Sequence, residues 1–307
     1  PKPLKGRTLL PRAGIHALHH TLFPPTANPR GTLLIIHGMA EHSGRYVAFA
    51  HYMASQGYAV LTYDQLGHGR TASSPDGLGH FAKPNSSDLL VGDGRQMAEW
   101  LAKQYPDLPH FILGHSMGSF VVRCVLQEIG SSFTGAVLVG SAGTAPSLRT
   151  TLPLLKGLAK FGPAQRADKI HGLFGQASNF RFRSEQDPLA WLSVSHDNRQ
   201  RFSDDPLCGQ VFTRNGFYTL LSLADRAVNH QWYLRLPKDL PMLWTSGDQD
   251  PVGHFSLGIH QTTQTLKTQG FSKISSQLYP GWRHDILQEA DKEQVYHNLS
   301  QWFEQQL

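Results

Sequence analysis

Short apolar runs alternate along this chain with longer stretches in which apolar residues recur every three or four positions. The runs are Thr32-Leu33-Leu34-Ile35-Ile36, Tyr58-Ala59-Val60-Leu61-Thr62-Tyr63, Phe111-Ile112-Leu113, Ala136-Val137-Leu138-Val139, Pro241-Met242-Leu243-Trp244-Thr245, and 274–279. Continuous apolar runs of this length fit strands buried on both faces. The periodic stretches predict a helix through Tyr46, Val47, Phe49, Ala50 and Met53, with Ser43 as its cap and Gly57 as its stop. Further helices are predicted from 88 to 105, after Ser116, near 255–268 and around 292–305. Residues 7–23 alternate loosely around Ile15, Ala17, Leu18, Leu22 and Phe23, which predicts one or two opening strands. Strands alternating with helices predict an α/β protein, with a mostly parallel sheet flanked by helices.

The rhythm breaks between about 143 and 236. No convincing buried strand occurs there. Helical patches replace it: Leu152, Leu154, Leu155, Leu158 and Phe161, then a segment around Trp191, then 217–233. The prediction is a core domain formed by 1–142 and 237–307, interrupted by a helical lid insertion at 143–236.

Composition narrows the setting. With 307 residues and 40% hydrophobic content the chain can bury a substantial core. No run of about 18 apolar residues exists to span a membrane. Pro1-Lys2-Pro3-Leu4-Lys5 is not followed by the apolar stretch of a secretory signal. Two cysteines, Cys124 and Cys208, argue against a disulfide framework, and Cys124 reads as a small core residue. A cytoplasmic location is therefore expected. The net charge of +5 sits in the insertion, where 141–235 holds 12 Lys/Arg against 7 Asp/Glu. These charges are scattered, without zinc-finger spacing or an aromatic RNA-binding signature, so no nucleic-acid partner is expected.

The chemistry centres on Gly114-His115-Ser116-Met117-Gly118. It follows an apolar run and precedes Phe120-Val121-Val122-x-x-Val125-Leu126, the strand–turn–helix setting of a G-x-S-x-G nucleophile elbow. The turn is so tight that side chains two residues either side of the serine would clash, so glycines stand there. Ser116 then projects over the start of a helix, whose dipole favours developing negative charge.

A serine nucleophile needs a base, and the base needs an acid that orients it. Both are expected on loops after later strands, in the order Ser, acid, His. The strand at 241–245 leads into Gly247-Asp248-Gln249-Asp250-Pro251, and the strand at 274–279 into Pro280-Gly281-Trp282-Arg283-His284-Asp285. His284 is the base candidate. Asp250 is preferred to Asp248 as the acid, because it sits deeper in its loop beside Pro251. Asp285 adjoins His284 and is poorly placed to face its Nδ1. His115 reads as structural, and His68 and Asp64 as residues that hold their own loop. The oxyanion hole needs two backbone N–H groups aimed at one point. Met117, after the nucleophile, and Met39, after the strand at 32–36, are the candidates.

These residues resemble the α/β-hydrolase superfamily, and within it the monoacylglycerol lipase and lysophospholipase group filed with serine aminopeptidases, in the manner of a bacterial member. The matching stretches are His37-Gly38-Met39-Ala40-Glu41-His42-Ser43-Gly44-Arg45-Tyr46, Asp64-Gln65-Leu66-Gly67-His68-Gly69, Gly114-His115-Ser116-Met117-Gly118, Gly247-Asp248-Gln249-Asp250-Pro251 and Arg283-His284-Asp285-Ile286-Leu287. The resemblance implies Ser116, Asp250 and His284 as a triad, Met39 and Met117 in the oxyanion hole, and no cofactor or metal. It implies a lipid-like ester as substrate, a monoacylglycerol or a lysophospholipid. The lid leucines are candidates for an acyl tunnel or for peripheral membrane contact, with Arg149, Lys156, Lys160, Arg166 and Lys169 favouring anionic lipid. An aminopeptidase, which would use Glu185, Asp187, Asp204 or Asp205 to hold a substrate ammonium, a short-chain carboxylesterase and a catalytically silent binding module are the alternatives.

Overall fold

The computed structural model describes residues 4–9, 18–82 and 84–307. Ile15 and Ala17 of the opening alternation lie outside the described residues. Among those described, eight strands form one sheet: β1 (Leu4–Leu9), β2 (Leu18–Phe23), β3 (Gly31–Ile36), β4 (Tyr58–Tyr63), β5 (His110–His115), β6 (Gly135–Val139), β7 (Met242–Gly247) and β8 (Ile274–Tyr279). The spatial order is β1-β2-β4-β3-β5-β6-β7-β8. The β1–β2 and β2–β4 pairings are antiparallel, and the pairings from β4 across to β8 are parallel. β3, β4, β6 and β7 are buried along their whole length. Helices cover both faces there, so no solvated side exists for a polar residue to point to. β8 closes one edge and exposes Ser275 and Ser276.

One face is covered by α1 (Val47–Ser55) and α9 (Lys292–Gln305), whose Phe49, Met53, Val295, Leu299 and Phe303 pack with Leu33, Ile35, Val60 and Leu113. The other carries α2 (Ser87–Gln104), α3 (Met117–Ile129) and α8 (Leu257–Thr268), whose Met97, Val121, Val125 and Ile259 join Leu34, Ile36, Ile112 and Leu138. Cys124 is buried on α3, and burial pushes its thiol up to about 12.

The start of α1 differs from the expectation. A 3-10 turn, Ser43–Tyr46, comes first, and its cap is His42, which accepts the Gly44 N–H at Nδ1 over 3.1 Å. Ser43 instead donates its N–H and hydroxyl to Asp64 Oδ1, at 2.8 and 2.7 Å. A buried carboxylate delivered by β4 is a stronger acceptor than the local cap geometry offers.

Between β6 and β7 lie α4 (Leu148–Lys160), α5 (Asp168–Asn179), α6 (His196–Asp204) and α7 (Arg214–Val228). They are not equally anchored. α7 buries Phe217, Leu220, Leu223 and Ala227 in the same cluster as α2 and α3, whereas α5 buries only Ser178. The same contrast sets the expected effect of truncation. Ile112→Ala, at a fully buried position of β5, should lower stability by about 2–5 kcal/mol, while Leu154→Ala, at a residue 71% exposed, should stay within about 0.5 kcal/mol. Urea midpoints at unchanged slope would read both.

Candidate active site

The turn from β5 into α3 places Ser116 at φ 54°, ψ −119°, a conformation L-residues avoid. Hydrogen bonds hold it there. Ser116 N–H donates to the Val139 carbonyl at 2.9 Å, and the Ser116 carbonyl accepts from Ser119 N–H and Oγ at 2.8 and 2.6 Å. A Cβ at Gly114 would overlap the Gly118 carbonyl, and one at Gly118 would overlap the Ile36 carbonyl. Both glycines are required by the closeness of backbone to backbone.

Ser116 and His284 line the same cavity, of about 450 Å³. His284 follows β8, and its Nδ1 lies 2.9 Å from Oδ2 of Asp250, which follows β7 and is fully buried. With the Nδ1 proton engaged by Asp250, Nε2 is the acceptor nitrogen. Asp250 also accepts from Val252 N–H (2.9 Å) and Ser246 Oγ (3.0 Å). Burial opposes its ionisation, but the His284 ring and these donors hold the carboxyl below its ordinary pKa. Asp248 lies elsewhere, with Oδ1 accepting the Gly281 N–H at 2.8 Å and so tying the two loops together.

Two further rings flank His284. His115 is buried at a centroid distance of 4.7 Å, and its Nε2 donates to the His284 carbonyl at 3.1 Å. Trp191 lies 5.3 Å away, tilted by 38°. Nothing in the local sequence pointed to Trp191, because only the tertiary fold brings it there. Asp285 bonds to Arg45 at 2.7 Å and to Asn198 at 2.9 Å.

The N–H groups on either side of Met39 are taken: Gly38 N–H donates to Glu41 Oε1 at 3.0 Å and Ala40 N–H to His68 Nε2 at 3.1 Å. Met39 itself lines the cavity. Met117 opens α3, where the first N–H groups of a helix lack intrahelical partners. Asp64, besides Ser43, accepts the Arg70 N–H at 2.8 Å, so it and His68 brace the loops beside the cavity.

The cavity wall is largely apolar, with Met39, Phe174, Leu189, Trp191, Leu192 and Val252 prominent. The α4 leucines are not part of it. Leu155 is buried and Leu152 packs on the core, because the inner face of α4 is occupied by α7, while Leu154 and Phe161 face solvent. α5 and the segment 188–192 form the wall instead. Arg166 is no free surface cation: its guanidinium donates to the carbonyls of Val211 and Asp76, at 3.0 and 2.6 Å. Four acids between β6 and β7 are engaged too. Glu185 pairs with Arg283 and Arg199, Asp187 with Arg199, Asp205 with His42, and Asp204 accepts from Gln200.

The family described as serine aminopeptidase, S33 matches residues 27–291. The chain belongs to this family. The chain is 33% identical to the mouse (Mus musculus) monoglyceride lipase over 132 residues, 43% of this chain and 42% of that protein. It is 24% identical to the monoacylglycerol lipase of Mycolicibacterium smegmatis over 298 residues, 92% of this chain and 91% of that protein. A thermostable carboxyl esterase from Bacillus coagulans, solved with glycerol, superposes with a TM-score of 0.89 at 26% identity, over 99% of this chain and 97% of that one. The mostly parallel sheet with flanking helices is thus the α/β-hydrolase fold.

Asp250→Asn should leave the fold intact and reduce kcat on the order of 10³–10⁴-fold, since an amide no longer fixes the imidazole tautomer. A p-nitrophenyl ester assay reads this. The lowered Asp250 pKa also contributes stability above the unfolded carboxyl's pKa of about 4, lost as pH falls through the folded value. The variant should therefore lose less stability on acidification than wild type, as pH-dependent thermal melts would show.

Proposed function

We propose that the chain is a carboxylic-ester hydrolase that cleaves lipid-like esters through an acyl-enzyme on Ser116, with monoacylglycerols as the preferred class. The observation that carries this reading is the shared cavity: Ser116 and His284, whose ring is paired behind it with Asp250, line one largely apolar space. His284 Nε2 takes the Ser116 proton as Oγ attacks the ester carbonyl. Asp250 keeps the ring in the required tautomer and stabilises its charged form. The N–H groups of Met39 and Met117 receive the oxyanion, an interaction worth about 3–4 kcal/mol per donor in comparable enzymes. His284 then returns the proton to the leaving alcohol, and water, activated by the same base, releases the acid.

Three observations favour this substrate class. Glu185, Asp187, Asp204 and Asp205 are tied up in ion pairs and hydrogen bonds away from the cavity, and Glu41, the carboxylate that lines it, is paired with Arg45, which counts against an aminopeptidase. Among the described residues no Lys or Arg lines the cavity, so a phosphate head group would be desolvated without a counter-charge, and a neutral glycerol head fits better. A volume of about 450 Å³ with mostly apolar walls has room for an alkyl chain beyond a short acyl group. The relatives named above are monoglyceride lipases and a carboxyl esterase, consistent with this choice.

The segment between β6 and β7 also carries an exposed apolar surface suited to membrane contact. Leu154 and Leu158 on α4 and Phe161 just after it recur at helical spacing and are exposed, as are Leu173 on α5 and Phe180 after it, and Lys156, Lys160 and Lys169 of the same segment are exposed too. No helix among the described residues is long and apolar enough to cross a membrane. Contact would therefore be peripheral. Phe161→Asp should reduce sedimentation with vesicles containing anionic lipid, and leave turnover of a soluble short ester unchanged.

A hydrolysis panel tests the substrate reading. Wild type should turn over a long-chain monoacylglycerol at least tenfold faster than the matching lysophosphatidylcholine, should spare an aminoacyl anilide, and should lose both ester activities in Ser116→Ala. Faster cleavage of the lysophospholipid, or of the anilide, would contradict it.

A further inference from the structure

Glu41, Arg45 and Asp285 lie outside the reacting groups, yet they form a continuous buried network beneath them. Glu41 is 3% exposed and lines the inner cavity wall. Its Oε1 accepts the Gly38 N–H, next to Met39, and the Tyr46 hydroxyl; its Oε2 accepts from Arg45 at 2.6 Å. The other arm of Arg45 reaches Asp285 Oδ2 at 2.7 Å and Asn198 Oδ1 at 2.9 Å. Asn198 Nδ2 closes the ring by donating to the same Asp285 oxygen at 2.9 Å. Asn198 belongs to α6 of the insertion, and Asp285 adjoins His284. The Arg45 guanidinium also stands 5.0 Å from the ring centre of Phe202, another cavity residue.

We propose that Glu41 and Arg45 are positioning residues: they lock the oxyanion-hole loop, the His284 loop and helix α6 into one register. The inference rests on the reading of Ser116 and His284 given above. Arg45 suits the task because a guanidinium presents donors in a fixed fork, so two carboxylates bound to it are held at a set separation. A reacting geometry tolerates little displacement, and the Met39 N–H and the His284 ring come from loops that share no strand pairing. The network supplies the link the sheet does not.

The buried charges also act on the ring electrostatically. The charged and titratable groups around His284 are Asp250 from the β7 loop, His115 from the elbow, Asp285 and Arg283 from its own loop, Glu41 and Arg45 from the β3 loop, Glu185, paired to Arg283, from the segment between β6 and β7, and His171 of α5 across the cavity. His115 Nδ1 is buried without a hydrogen-bond partner, 3.9 Å from Glu41 Oε1. Burial opposes charge on His115, but the Glu41 carboxylate raises its pKa above the ordinary value. Loss of Arg45 leaves uncompensated negative charge beside His284 and favours the protonated ring. Loss of the Asp285 charge leaves an excess of positive charge and favours the neutral ring.

The test is kcat, KM and the pH profile of kcat/KM for Arg45→Met, Asp285→Asn and Glu41→Gln, with a soluble p-nitrophenyl ester. Rates are normalised to competent sites by the p-nitrophenol burst, so that loss of folded protein does not count as loss of rate. Each variant should lower kcat per competent site about ten- to a hundredfold, with KM within about threefold. The acidic limb should move to higher pH in Arg45→Met and to lower pH in Asp285→Asn, by about half a unit or more. A generally loosened structure has no reason to give shifts of opposite sign. Should Arg45→Met not fold, the isosteric Asp285→Asn and Glu41→Gln carry the test. Unchanged kcat per site, or limbs that do not move, overturn the clamp while a normal wild-type burst leaves the Ser116 reading standing. Absence of any serine-dependent burst in wild type overturns that reading itself.

Discussion

The structure depends on one strained residue. Ser116 occupies a backbone conformation that costs of order 1–3 kcal/mol, held by the β6 carbonyl of Val139 on one side and Ser119 on the other. The residue so held lines the cavity at the start of α3. It also dictates its surroundings. The backbone of β3 passes so close that only glycine fits at 118, and Gly38 approaches the elbow from the β3 loop, where an added Cβ would stand 3.2 Å from Ser116 Cβ. The central strands are packed to their full length around this point, and their apolar burial holds the turn in place.

Around that turn, buried carboxylates organise the loops at the ends of the parallel strands. Asp64 after β4 binds the 43 and 70 backbones, Glu41 after β3 binds the 38 backbone, Asp250 after β7 binds His284, and Asp285 after β8 binds Arg45 and Asn198. A lone buried carboxylate is costly, but each of these accepts several N–H or O–H donors that a loop would otherwise leave unpaired. The acids thus do for the loops what strand pairing does for the sheet.

The sheet was readable because its central strands are buried on both faces, so Thr32–Ile36 and 58–63 appear as unbroken apolar runs. The elbow was readable because steric demand there restricts residue type. Asp250, rather than Asp248, could be favoured from its depth in the loop, and the geometry brings Asp250 to His284. What was illegible is what depends on distant chain. Ser43 looked like a cap until Asp64 arrived from another strand. The α4 leucines looked like a tunnel, but amphipathic spacing says only that one face is buried, not against what, and α7 claimed it. Trp191 and the α5 wall of the cavity carry no local signature at all. The Glu41–Arg45 spacing was visible in the sequence, yet its second partner, Asp285, lies 240 residues on.

The central claim is that Ser116 is a nucleophile activated by His284. The most direct test is mass spectrometry of the protein after reaction with a fluorophosphonate. The account predicts a single phosphonyl adduct per chain, mapped to the peptide carrying Ser116, absent in Ser116→Ala and formed at least a hundredfold more slowly in His284→Ala. An unlabelled wild-type protein, an adduct on another residue, or labelling that proceeds unchanged without His284 would contradict it.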